Sequence, residues 1–183
     1  AALTERRTWD ATSAAPSAAA ATILADGDRA ELEAALARVA DPLEAAGLRA
    51  VAACRRGDEE DARDALMAAR RLLEDRVEAP AAVWAAARLG LERSLPPAVA
   101  LVTALIGCGG APRGLCSLVP WLRRAGEAEL ATTALRVAVR QGEAGAKALL
   151  AKELVAQGWR VYAEEPERAR LLLIEARRLA EAT

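Results

Sequence analysis

The chain is punctuated at near-regular intervals. Gly27-Asp28, Gly57-Asp58, Gly90-Leu91, Gly126-Glu127 and Glu164-Glu165 recur every thirty to thirty-eight residues, each closing one helix-compatible stretch and opening another. The stretches behind the breaks also repeat. Asp58–Asp75 reads DEEDARDALMAARRLLED and Glu165–Ala182 reads EPERARLLLIEARRLAEA. Aligned on the break, Ala62, Leu66, Ala69, Arg70, Arg71, Leu72 and Glu74 coincide with Ala169, Leu173, Ala176, Arg177, Arg178, Leu179 and Glu181. Ala131, Leu135 and Ala138 take the same three slots after Gly126. Offsets of four and three put such residues on one helical face. Alanines at both ends let a second helix approach closely, and the leucine fills the space between them. Glycine supplies the positive φ that a helix C-terminus commonly needs. The acidic residue behind it caps the next helix and complements its dipole.

This pattern predicts helices at Ser17–Ala25, Arg29–Ala40, Pro42–Arg56, Glu59–Val77, Pro80–Leu89, Pro96–Ile106, Leu118–Ala125, Ala128–Gln141, Ala144–Ala163 and Pro166–Ala182. Pro80, Pro96 and Pro166 stand at helix starts, where a missing N–H costs nothing, and Pro120 falls in a first turn. The composition agrees. The chain is 54 % hydrophobic, rich in Ala and Leu, and contains no Phe and one Tyr, which disfavours a sandwich of β-branched and aromatic strands. Residues 1–21, with the Ala/Ser/Pro-rich run TSAAPSAAAA, form a flexible or weakly helical lead-in, and 22–183 form one helical-repeat domain.

A repeat of about thirty-four residues with Gly-Asp at its turn and small residues five and twelve beyond the Gly resembles the tetratricopeptide repeat. GDEEDARDALMAARRLLED carries the resemblance best, then AGEAELATTALRVAV, then AEEPERARLLLIEARRLA, which lacks the Gly. Ala50, Gly158 and Tyr162 fit the family's first helix loosely, and the Gly27 and Gly90 units keep the turn without the alanine pair. The resemblance spans Gly47–Ala182. It implies an all-α array of about five antiparallel hairpins, a tetratricopeptide-like α-solenoid whose first helices line a concave groove. The implied function is a non-catalytic scaffold, adaptor or chaperone that holds a peptide or partner helix, a bacterial secretion chaperone being one version.

Other chemistry is closed off by what the chain lacks. Without histidine there is no imidazole base or metal ligand. The two lysines, Lys147 and Lys152, read as solvated surface. Three cysteines, Cys54, Cys108 and Cys116, are too few for a structural zinc site. Cys108 and Cys116 flank the loop Gly107–Gly114 and could pair in an oxidising compartment, although the odd count favours reduced thiols. That loop, GCGGAPRG, is no P-loop: Arg113-Gly114-Leu115 replaces Gly-Lys-Ser/Thr, and a helix precedes it rather than a strand. Pro112 likewise occupies the third glycine slot of a dinucleotide fingerprint. The acidic blocks Asp58–Asp61 and Glu164–Glu167 read as helix-opening caps rather than metal ligands. A net charge of −1 argues against a dedicated nucleic-acid binder. The start AALTERRTWD has no apolar signal core, and the longest apolar run, Leu95–Cys108, is too short to span a bilayer. A cytoplasmic protein without cofactor, metal or membrane insertion is expected.

The candidate binding residues are Arg55, Arg88, Arg123, Arg124, Arg160, Trp84, Trp121 and Trp159. The three tryptophans each fall five or six residues before a break, which suits either core packing between hairpins or an aromatic groove lining. Trp9 lies outside the repeat. Arg-Arg pairs occur at Arg6-Arg7, Arg55-Arg56, Arg70-Arg71, Arg123-Arg124 and Arg177-Arg178. Arg55, Arg88 and Arg124 each stand two residues before a break. They either compensate helix C-termini or form a basic ladder whose guanidinium forks clamp carboxylates of an acidic partner. Two further classes compete with the scaffold reading. One is a self-associating homo-oligomer; the weaker one is an RNA-binding helical repeat that uses the arginine pairs.

Overall fold

A computed structural model describes residues 29–74, 76, 79–108 and 114–181. The described residues hold nine α-helices, one 3-10 turn and no strand: α1 Arg29–Leu36, α2 Pro42–Arg56, α3 Glu59–Leu73, α4 Ala81–Glu92, α5 Pro96–Gly107, the 3-10 turn Leu115–Leu118, α6 Val119–Arg124, α7 Ala128–Arg140, α8 Ala146–Val161 and α9 Pro166–Glu181. The chain is all-α. None of these helices is long and apolar enough to cross a membrane. The expected helix Ser17–Ala25, the Gly27-Asp28 break, the lead-in, Arg6-Arg7 and Trp9 lie outside the described residues.

Four helix ends share one construction. Gly57, Ser94, Gly126 and Gly142 all have positive φ. At each, the positive-φ residue donates its N–H back to the carbonyl three positions earlier, and the next residue donates to the carbonyl five positions earlier. Gly57 thus bonds to Cys54 at 3.3 Å and Asp58 to Ala53 at 3.0 Å; Gly126 bonds to Arg123 at 3.0 Å and Glu127 to Leu122 at 2.9 Å. This is the Schellman closure, which satisfies carbonyls a helix end would otherwise leave bare. Asp58 then caps α3, its Oδ1 accepting from the Asp61 N–H at 3.1 Å. Glu127 occupies the corresponding cap position without a side-chain cap bond, so its contribution there is its charge alone.

The break expected at Gly90 falls elsewhere. Gly90 stands inside α4, and the turn comes four residues later at Ser94, whose N–H bonds to Leu91 while Leu95 bonds to the Gly90 carbonyl. Gly90 is there for space: a Cβ on it would lie 2.7 Å from the Ala98 Cβ and 2.9 Å from a Leu66 methyl. The helix expected at Leu118–Ala125 is α6, with the 3-10 turn leading into it, and α3 stops at Leu73 rather than Val77.

The described residues form two compact units, one within Ala1–Gly110 and one within Ala111–Thr183. In the first, α1 packs on α2, α2 on α3 and α4, α3 on α5, and α4 on α5. Its core is built from Leu43, Leu48, Leu66, Leu73, Leu91, Leu101 and Leu105, each removed from water. In the second, the 3-10 turn and α6 pack on α7, α7 on α8, and α8 on α9, around Leu115, Leu122, Leu135 and Leu154. The repeated small positions behave as their spacing requires. Ala62, Ala69, Ala131, Ala138, Ala169 and Ala176 are all buried, and Leu66 and Leu135 with them; Leu173 is half-buried.

Candidate functional site: a basic and aromatic face in the second unit

The candidate residues divide between the units. In the first unit, Trp84 of α4 is 8 % exposed and sits in the core, with its indole N–H unbonded. Arg88 bonds along its own helix to Glu92 at 3.0 Å, and Arg55 is half-buried in the last turn of α2. The common register expected for Arg55, Arg88 and Arg124 does not hold. Arg55 and Arg124 stand two residues before Gly57 and Gly126, whereas Arg88 stands six before Ser94. Only a break at Gly90 would have matched the three.

The second unit brings Arg123 and Arg160 together and sets Arg124 beside Trp121. Arg123 comes from the last turn of α6 and Arg160 from the last turn of α8. Both guanidinium groups converge on Glu153 of α8, which pairs with Arg123 and lies 3.4 Å from Arg160. Glu153 is only 1 % exposed. A carboxylate taken out of water is tolerated only when paired, and here it draws two cations to one place. Each arginine keeps about half of its side chain in solvent, so most of its N–H donors remain available. Next to Arg123, Arg124 lies 5.1 Å from the centroid of the half-buried Trp121 ring, a cation–π distance. Next to Arg160, Trp159 is 65 % exposed, its ring centroid 5.9 Å from that of Tyr162. Val155, Trp159 and Tyr162 recur at i, i+4 and i+7, on the side of α8 away from the buried Leu150, Glu153 and Leu154.

The residues that organise this face are absent from the sequence-derived set. Glu153 and Gln157 sit one turn apart in the apolar stripe of α8, beside Leu150 and Leu154. Gln157 donates to the Ala128 carbonyl at 3.0 Å and to the Thr132 hydroxyl, fastening α8 to α7. Two polar residues interrupting a buried leucine stripe are the signal that marks them. Glu143, in the α7–α8 turn, is a third: its carboxylate accepts from the Gly114 and Cys116 N–H groups at 3.1 and 3.2 Å and so fixes the start of the 3-10 turn. Burial, followed by the bond to Glu143, pushes the Cys116 thiol up to about 12, and burial pushes Cys54 to about 11. All three cysteines are free thiols. Among the described residues, no group of three or more acidic or cysteine side chains is placed to hold a metal ion.

The arrangement is suited to holding anionic groups beside apolar ones. Two guanidiniums around one carboxylate leave a net positive charge, Arg124 adds another, and Trp121 beside Arg124 supplies rigid apolar area. No protein-family model, curated protein or solved structure matches the chain.

Proposed function

We propose that this protein is a non-catalytic interaction scaffold, a tetratricopeptide-like α-solenoid that binds a carboxylate-bearing peptide or partner helix. The observation that carries the reading is the convergence of Arg123 and Arg160 on the buried Glu153. The fold holds two half-exposed guanidinium forks in fixed positions, at the cost of burying an acid to organise them. Ordering a long side chain on binding costs about 0.5–1.5 kcal/mol, and Glu153 removes part of that cost in advance. Trp121 with Arg124 over its ring matches the aromatic-plus-arginine composition of interface hot spots. In the first unit, stacking of α2 on α4 and of α3 on α5 supports the helical-repeat reading.

Selection from a displayed library of random peptides with free C-termini tests it. The proposal expects enrichment of acidic sequences by the wild-type protein and loss of that enrichment in Arg124→Glu. Arg71→Glu, a charge reversal on the exposed face of α3, should select like wild type. Enrichment of peptides without acidic residues, or equal selection by both variants, contradicts the carboxylate-binding role.

A further inference from the structure

The outer face of α9 carries a stripe that is complementary to itself. Glu167, Leu171, Ile174 and Arg178 succeed one another at spacings of four, three and four, which places them on a single helical face. All four are exposed, Leu171 at 68 % and Ile174 at 39 %. The opposite side of the helix is the buried one, with Ala169 and Ala176 shut off from water and Gly158 of α8 closing on Leu173 and the Ala169 carbonyl. Leu171 is thus a large apolar side chain turned outward on a helix whose inward face is already satisfied.

The charges around it are equally selective. Arg168 is held by Glu165 and Glu129, Glu175 by Arg136, and Arg177 by Glu181. Glu167 and Arg178, which bracket the two apolar residues, have no ion-pair partner among the described residues. The spacing is the same read from either end, and the identities are opposite in charge at the two ends and apolar in the middle. A two-fold axis crossing the helix between Leu172 and Leu173 therefore sets Glu167 against Arg178 of a second copy, and Leu171 against Ile174 of that copy. A parallel arrangement would oppose Glu167 to Glu167 and Arg178 to Arg178.

We propose that α9 is a self-association surface, pairing antiparallel with α9 of a second copy of this chain. The occupant follows from the palindrome. An isologous interface requires a patch that matches itself after a half-turn, and this stripe does. Leucine and isoleucine at the centre supply apolar burial, and the flanking Glu–Arg pairs set direction and register, as the charged positions of helix pairs do. The stripe shares no residue with the Arg123–Glu153–Arg160 cluster, so neither proposal depends on the other.

Sedimentation velocity of the full chain over a wide concentration range tests it with charge-reversed variants. Wild type should show a reversible monomer–dimer equilibrium. Leu171→Asp should be monomeric with an unchanged helical circular dichroism spectrum, since Leu171 stands mostly in solvent. Glu167→Arg and Arg178→Glu should each weaken dimerisation about tenfold or more, because each places like charges opposite one another. An equimolar mixture of those two variants should recover association, because at both ends of the mixed dimer an arginine of one variant faces a glutamate of the other; the double variant Glu167→Arg/Arg178→Glu restores both Arg–Glu pairs and should recover it fully. A wild-type chain that stays monomeric throughout overturns the proposal. So does a Leu171→Asp variant that dimerises normally, or a double variant that associates no better than the single ones.

Discussion

Gly47 of α2 meets the backbone of α4 at Val83: a Cβ on Gly47 would lie 2.8 Å from the Val83 nitrogen and 2.9 Å from the Ala82 carbonyl carbon. The neighbours are main-chain atoms, which cannot rotate away. Gly47 thereby sets how closely α2 and α4 approach, and the burial of Ala50, Val51 and Cys54 on the same helix depends on that approach. Gly47→Ala should destabilise the protein by about 3 kcal/mol, the upper end of overpacking, outweighing the helix-propensity gain of about 1 kcal/mol. Urea unfolding measures it, and a stability equal to or above wild type would show that α2 and α4 separate freely.

Gly90 makes the same argument between side chains. Gly90→Ala should cost about 1–3 kcal/mol by crowding Ala98 and Leu66. Ala98→Gly in the same chain removes one of the two clashes and should recover part of the loss, which a double-mutant cycle reads directly. Additivity of the two substitutions would contradict the contact.

Gly90 also shows where the sequence misleads. Its neighbourhood looks like the Gly57 and Gly126 turns because a glycine with helix on both sides reads alike whether it ends a helix or admits a neighbour. The deciding feature, a positive φ, went to Ser94, a residue type that carries no strong signal for that conformation. Periodicity and proline placement made most helices legible to within a few residues, Pro42–Arg56 at both ends. The alanines at 62, 131 and 169 were legible for the same reason, since a leucine four residues on and a second alanine seven on report a packed face. Arg123 and Arg160 were legible as basic residues, but their common anchor was not. Glu153 lies thirty residues from Arg123 in the chain, and only the packing of the second unit brings them together. The paired placement of Leu171 and Ile174 was hidden by their likeness to core leucines.

The Glu153 anchor predicts a non-additive pair. Arg123→Ala leaves a buried carboxylate with Arg160 alone and should cost about 1–3 kcal/mol. In a Glu153→Leu background the same change should cost much less, because no buried charge is left to satisfy. Thermal or urea unfolding of the four proteins gives the coupling; equal costs in both backgrounds would show that the arginine contributes only surface packing.

The thiols predict an alkaline limit to stability. Cys54 and Cys116 hold their protons in the folded state up to about 11 and about 12, whereas an unfolded thiol ionises near 8.5. The folded state therefore binds more protons than the unfolded state over that window. Their stabilisation is complete below the unfolded value and is lost as pH rises toward the folded ones. Melting temperature should fall between about pH 9 and pH 11, and Cys116→Ala should show a smaller fall. Alkylation of both thiols in the folded protein should be slow at about pH 9 relative to the denatured chain. Rapid alkylation there would contradict the protected environment.

The most direct measurement is the affinity of one selected acidic peptide for the wild-type protein, Arg124→Glu and Arg71→Glu, taken at low and high salt. The scaffold account predicts weaker binding and slower association for Arg124→Glu, unchanged binding for Arg71→Glu, and a wild-type affinity that falls as salt shortens the screening length from about 10 Å at 0.1 M to about 3 Å at 1 M. Equal affinities for the two variants, with no dependence on salt, would contradict it.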